Sequence, residues 1–482
     1  MALFLPAFLT RSMSVQAYST WSLVLQVSAY LGYLDFGIQT AVGRFVAQAN
    51  EKGDAEHRDR IVSTAFATLT MAGILAVACS ALTAYFWADL FSHMPSGLVD
   101  QARIAFLLVA SSLAVGLPFS VFNGVFIGLQ RNEVPASIIA VSRIISALCM
   151  ILVVRRGGDL VSMGLFVAAI NLASYFLQYG MYRKLCGGHR LSPGLVSIAT
   201  GRELFDYCLS LSIWSFGMLL VTGLDLTIVG VVQFEAVAYY AVATSMITFI
   251  VGAQNAIFSS IVSPVAVLNA RGDSRGLANV MISATRYGTF LLLLTGMPLV
   301  LFPRLILGLW VGEAYGVSGA RLLQVLAAAN IIRLSTTPYA MTLVGTGQQR
   351  LVILSPIIEG VTNLVISVGA GLVYGAVGVA VGTLVGAVVG VILHLSYNMQ
   401  RTTSFDFRIS DYVLDGLLRP SICAVPLVGY AYLLRCSNLS AWANPYLILS
   451  AAVATTGFLI WRYGLLGPER DRLRFRRLLG KA

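Results

Sequence analysis

Residues 350–399 read RLVILSPIIEGVTNLVISVGAGLVYGAVGVAVGTLVGAVVGVILHLSYNM. After Arg350 the run contains no Lys, Arg or Asp and a single carboxylate, Glu359. A helix on the surface of a water-soluble protein needs a polar face, and none can be drawn here. As one continuous helix the run would be about 75 Å long, whereas a hydrocarbon core is about 30 Å thick. Two membrane crossings, 350–373 and 376–399, are therefore predicted, with a Gly-rich turn between them.

The same pattern extends along the chain. Of 482 residues, 57% are hydrophobic and only 11% are charged, and the mean hydropathy is +0.82. A soluble protein of this length cannot hide that much apolar surface, so the bilayer must be the solvent. Apolar runs between polar breaks predict further helices near 18–47, 61–88, 104–129, 134–154, 160–182, 207–232, 236–268, 280–302, 321–345, 416–434 and 444–463. Strand-like alternation is absent from the sequence, which argues against a barrel. Residues 1–10 are apolar but too few to cross, and they read as the end of a first helix whose start lies upstream or is misplaced. The expectation is an all-α polytopic membrane protein of fourteen helices, the first incomplete. The six Cys residues are scattered, with no CxxC spacing, and read as packing residues rather than metal or redox groups.

The net charge of +11 would suggest nucleic acid in a soluble protein, but in a membrane protein the basic residues must first be sorted by loop. Twenty of the 32 Lys and Arg fall after even-numbered helices or in the tail, and seven fall in the odd loops: Arg11, Arg103, Arg155, Arg156, Arg304, Arg321 and Arg435. The even loops and the C-terminus are thus predicted to be cytoplasmic. Arg44, Arg143, Arg286, Arg333 and Arg419 remain within spans. Residues 470–481 carry a dense basic cluster, each charge adding about 1 kcal/mol of attraction to anionic membrane lipids.

The chain also repeats itself at an offset of about 220 residues. Ala17-Tyr18 matches Ala238-Tyr239, Gly53-Asp54 matches Gly272-Asp273, and Gly128-Leu129-Gln130-Arg131 matches Gly347-Gln348-Gln349-Arg350. The offset spans six helices, an even number, so the two halves insert with the same orientation and are expected to be related by a pseudo-two-fold along the membrane normal. The predicted organisation is an N-terminal six-helix lobe (1–182), a cytoplasmic linker (183–203), a C-terminal six-helix lobe (204–400), two extra transmembrane helices (401–463) and a basic cytoplasmic tail (464–482).

This six-plus-six-plus-two layout resembles the MOP flippase superfamily. The segments Tyr33-Leu34-Asp35-Phe36-Gly37 with Arg44-Phe45, Asp225-Leu226-Thr227-Ile228-Val229-Gly230 with Ala238-Tyr239-Tyr240, Leu309-Trp310-Val311-Gly312-Glu313-Ala314-Tyr315, and Tyr374-Gly375-Ala376-Val377-Gly378 look like its polysaccharide transporter branch, the Wzx-type O-antigen flippases. The resemblance implies transport of an undecaprenyl-diphosphate-linked oligosaccharide from the cytoplasmic to the periplasmic leaflet of the bacterial inner membrane. It also implies alternating access, anionic membrane lipids and a glycan polymerase or assembly protein as partners, and no nucleic acid. A cation-coupled multidrug or small-molecule exporter of the same superfamily is the alternative. A membrane enzyme acting on the same glycan would need a catalytic acid or nucleophile in a sizeable periplasmic loop, and the periplasmic loops are short. The longest polar connection, residues 183–203, is cytoplasmic and offers His189 without a partnered acid.

Ionisable groups inside a bilayer cost at least about 2.5–3.5 kcal/mol at a helix centre and call for a partner or a wet cavity. Arg143 and Arg333 lie nine to twelve residues into their predicted helices. They could hold a diphosphate through their planar forks, or each could pair with a carboxylate between packed helices. Arg44 and Arg286 lie nearer the cytoplasmic ends, where they could reach interfacial water or gather an anionic head group. Glu359 and Asn363 share a helix face, and with Asp225 and Thr383 they offer oxygen ligands for Na+ or a carboxylate for H+. Their placement is similar to the cation site of lipid II flippases, although Asp225 could equally neutralise Arg333 or Arg143. No cofactor, metal or catalytic residue is expected. Asp35, just before Gly37, is expected to cap amides freed by a helix kink.

Overall fold

The computed structural model of the chain describes residues 3–186, 191–402, 406–436 and 445–464. His189 and the basic cluster at 470–481 lie outside the described residues. Among those described, the regular structure is entirely helical. Nine helices are long and apolar enough to cross a membrane, and a tenth span results if the bent pair Ser215–Val221 and Asp225–Val232 is counted as one. The chain is a multi-pass membrane protein.

The helix Ala55–Tyr85 shows how a bilayer sorts side chains. Leu69, Gly73, Ala76 and Ser80 repeat at helical spacing and are buried, whereas Met71, Ile74, Leu75 and Leu82 are exposed. The buried stripe is mostly small, which lets helices approach, and the exposed residues are large and apolar, as a lipid-facing surface requires. Ser80 remains satisfied there by donating to the Ala76 carbonyl at 2.7 Å.

The fold divides into two compact units, Met1–Ser245 with Asn363–Gly382, and Met246–Thr362 with Thr383–Ala482. In the first, Val42, Ile61, Leu69, Phe122, Phe126 and Tyr182 belong to one buried apolar cluster. In the second, Val265, Met281, Tyr339, Leu343 and Tyr412 play that part.

Several predicted spans are broken in ways that matter for the site. The predicted helix 18–47 is two helices, Val15–Ala29 and Ile38–Glu51, joined by a 3-10 segment Tyr30–Asp35 and by left-handed backbone at Phe36 and Gly37. Asp35 stands at this break, where its carboxylate accepts the Ser120 hydroxyl at 3.0 Å and lies 3.5 Å from the Gln39 amide. The predicted helix 207–232 opens into a π segment, Leu219–Gly223, and turns by 40° before Asp225–Val232. The predicted start at 321 is too late, because Gly312 ends one short helix and Glu313–Leu334 begins directly after it.

The repeat is visible in local geometry. Gly53 and Gly272 both take left-handed backbone, and the next residue caps the following helix: Asp54 accepts the His57 amide at 2.9 Å, Asp273 the Gly276 amide at 2.8 Å. The third match shifts by two positions. The left-handed residue closing its helix is Gly347 in the second copy but Gln130 in the first, while Gly128 packs against the carbonyl of Gly43.

Candidate cargo and cation sites

In the first unit, the π segment Leu219–Gly223 widens the helix and releases carbonyls from their ordinary partners. Side chains take them up. Gln26 and Tyr30 donate to the Gly223 carbonyl at 2.8 and 2.7 Å, and the Asn363 amide donates to the Val221 carbonyl at 2.9 Å. Asp225, first residue of the helix after the break, is buried beside them. Its carboxylate accepts from Asn363 Nδ2 at 3.1 Å and from the Tyr240 hydroxyl at 3.3 Å. The Ser367 hydroxyl stands 2.9 Å from Asn363 Oδ1 and 3.1 Å from the Val379 carbonyl.

The result is one buried carboxylate gathered with amide, hydroxyl and main-chain oxygens at a discontinuous helix. Such a set suits a hard monovalent cation or a proton, because its single negative charge balances a single positive one. Asp225 and Asn363 were expected here. Ser367, Tyr240 and the Val379 carbonyl were not, although Ser367 lies one turn beyond Asn363 and could have been read from that spacing.

Glu359 and Thr383 are buried in the second unit. Glu359 takes a different partner: its Oε1 accepts Arg333 Nε at 2.6 Å. The role of neutralising Arg333, one reading open to Asp225 in the sequence, thus falls to Glu359. Both side chains are largely buried, at 15% and 9% exposure. The other two guanidinium nitrogens of Arg333 are also buried and have no hydrogen-bond partner among the described residues.

The remaining arginines differ sharply in setting. Arg143 is exposed on the helix Glu133–Arg155, between the exposed Ile139 and Ile144. Arg44 is exposed too, with its guanidinium 4.8 Å from the ring centre of Tyr207. Arg286 is 2% exposed and donates Nε to the Asp415 carbonyl at 3.0 Å, while Thr289, nearly one turn along, donates to the Gly416 carbonyl at 3.0 Å. Those two carbonyls belong to another π segment, Tyr412–Leu418, so Arg286 anchors a widened helix turn.

Lipid II flippase MurJ, in its inward closed conformation, superposes with a TM-score of 0.75 at 13% identity, covering 99% of this chain and 97% of the flippase. The chain has the fold of the MOP transporters. An inward-facing multidrug resistance MATE family transporter of the MOP superfamily follows with a TM-score of 0.66 at 15% identity, covering 85% of this chain and 94% of the transporter. Within the MOP fold, a family model described as MatE matches residues 2–152. Comparison with curated protein sequences finds no match.

Proposed function

We propose that the chain is a flippase moving an undecaprenyl-diphosphate-linked oligosaccharide, destined for O-antigen, capsule or exopolysaccharide, from the cytoplasmic to the periplasmic leaflet of a bacterial inner membrane. The observation that carries this reading is Arg333. It lies in the interior of the apolar span Glu313–Thr346, about 20 Å from the span's nearer end at helical rise, and its side chain is largely buried. Two of its nitrogens are without an acceptor among the described residues. A deep cation with spare donors suits an anionic cargo and opposes a cationic drug. Arg143, exposed within its span, and Arg44 and Arg286 are the other basic groups offered to the cargo's diphosphate. Asp225, Asn363 and Ser367, with Thr383 and Glu359 as further candidates, would link the cycle to Na+ or H+. On this reading the C-terminus lies in the cytoplasm, and anionic lipids and a glycan polymerase or assembly protein are the partners.

The match of residues 2–152 to the MatE model favours the second reading, a cation-coupled exporter. Full-length coverage by a lipid-linked-substrate flippase supports the first. The two separate in a flippase-deficient strain that accumulates undecaprenyl-linked oligosaccharide and supplies the cognate sugars. Rescue by the chain, lost in Arg143→Ala or Arg333→Ala at matched membrane levels, is the expected result. Failure of the parent chain to rescue despite normal insertion would sink the flippase reading and bring the exporter forward.

A further inference from the structure

Arg333 and Glu359 meet through one point of contact where two are available. A guanidinium and a carboxylate ordinarily engage as a fork, with two parallel hydrogen bonds. Here only Nε is used, at 2.6 Å from Glu359 Oε1. The carboxylate also lies against Gly390. Its Oε2 is packed so closely on Gly390 that a Cβ at that position would stand 2.4 Å away. The absence of a side chain at Gly390 makes room for the carboxylate in this position, with Oε2 on the glycine and Oε1 on Nε. The Ser355 hydroxyl, one turn before Glu359, is taken up by Asn398 Nδ2 at 2.6 Å. Nη1 and Nη2 are left buried and without an acceptor among the described residues.

An ion pair built only for packing satisfies its donors, because buried donors without acceptors keep their full desolvation penalty. We propose that Arg333 and Glu359 form a phosphate subsite with its own counter-ion, in which Glu359 holds the guanidinium by Nε and a phosphate group of the cargo binds across Nη1 and Nη2. This rests on the anionic-cargo reading above. The end-on edge of a guanidinium matches two phosphate oxygens, and a lysine ammonium cannot reproduce that match. Glu359 has two effects. It makes a charged arginine tolerable in the membrane when no cargo is present. It also repels the incoming phosphate, which weakens binding and allows the cargo to leave.

The two effects predict opposite changes in binding and turnover. The test uses the purified full-length chain in detergent with farnesyl diphosphate as probe, farnesol and inorganic pyrophosphate as controls, and the rescue assay alongside. Glu359→Gln keeps an oxygen acceptor for Nε but removes the charge, so it should bind the diphosphate about three- to tenfold more tightly while rescuing less well. Arg333→Lys keeps the charge pair but loses the planar fork, so it should bind about tenfold more weakly. Farnesol binding should not change in either. Pyrophosphate that follows the same ranking marks a site for the phosphate alone, and pyrophosphate that does not bind marks one for phosphate carried on a prenyl chain; both uphold the subsite. Unchanged or weaker diphosphate binding in Glu359→Gln, or unchanged binding in Arg333→Lys, overturns it. If the parent chain still rescues, the flippase reading survives that failure; if it does not, that reading falls by itself. Unfolding midpoints identify a variant that has not folded, and Arg333→Lys carries the test if Glu359→Gln is lost in this way.

Discussion

Asp225 supplies a carboxylate to a cluster whose other oxygens among the described contacts, from Val221, Asn363, Ser367 and Val379, are neutral. If a cation binds there, it stabilises the folded chain by mass action, by about 2.7 kcal/mol when its concentration is 100 times the dissociation constant. Na+ should therefore raise the unfolding midpoint of the parent chain, and Asp225→Asn, which keeps the hydrogen-bonding shape but not the charge, should abolish the increment. An equal rise in parent and variant, judged against K+ as control, would remove Asp225 from the coupling role. A second carboxylate makes a simpler prediction. Asp159 caps the helix Leu160–Leu185 outside the membrane, and its pKa is lowered by the hydroxyl and then the backbone amide of Ser162. A lowered folded-state pKa stabilises above the unfolded value near 3.9, and that contribution is lost as pH falls through the folded value. Asp159→Ala should cost about 1 kcal/mol at neutral pH, with the difference from the parent closing in acid. The ionisable members of these sites were legible because a charge inside an apolar run stands out. Val221 and Val379 were not, since every residue has a carbonyl and only a local break makes one available. The pairing of Arg333 with Glu359 joins two helices, and no periodicity on either one encodes it.

Breaks in helices are the elements on which the site depends. Gly375 has φ 61° and ψ −144°, backbone open in practice only to glycine. Gln233 braces the turn by accepting the Ala376 amide at 2.9 Å, and a Cβ on Gly375 would lie 2.3 Å from the same Gln233 oxygen. Gly375→Ala should thus combine backbone strain with a lost hydrogen bond and cost about 2–4 kcal/mol, read as a lower unfolding midpoint and less folded chain in the membrane. An unchanged midpoint would show that the hairpin does not need this geometry. This turn was read correctly from sequence because tyrosine and two glycines interrupt a run too long for a single crossing. The break at Leu219–Gly223 was missed. It contains no proline, and its hydropathy is continuous with its flanks. What holds it open is the set of donors on other helices, from Gln26, Tyr30 and Asn363, to the freed carbonyls of Gly223 and Val221.

For the whole molecule, the asymmetry of basic residues and the duplicated turns make a joint statement about orientation. Twenty Lys and Arg against seven lead to the expectation that the loops after even helices are cytoplasmic. Separately, the matching caps at Asp54 and Asp273 put equivalent turns in the two halves. A repeat offset by an even number of helices places those turns on the same side of the membrane, whereas an odd number would place them on opposite sides. Single cysteines in a chain whose native cysteines have been replaced can separate these cases. Lys52→Cys and Arg275→Cys lie beside the two turns, and Asp100→Cys and Glu313→Cys lie at exposed positions near the starts of the helices Ser96–Gly128 and Glu313–Leu334, beyond the next crossing of each half. An impermeant maleimide added to intact spheroplasts should label the latter two and leave the former two unlabelled until the membrane is opened. If Lys52→Cys and Arg275→Cys label from opposite sides, the halves are inverted repeats and the axis along the membrane normal is wrong. If all four behave alike in reverse, the repeat is parallel but the charge count has set the orientation incorrectly, and the proposed direction of transport reverses with it.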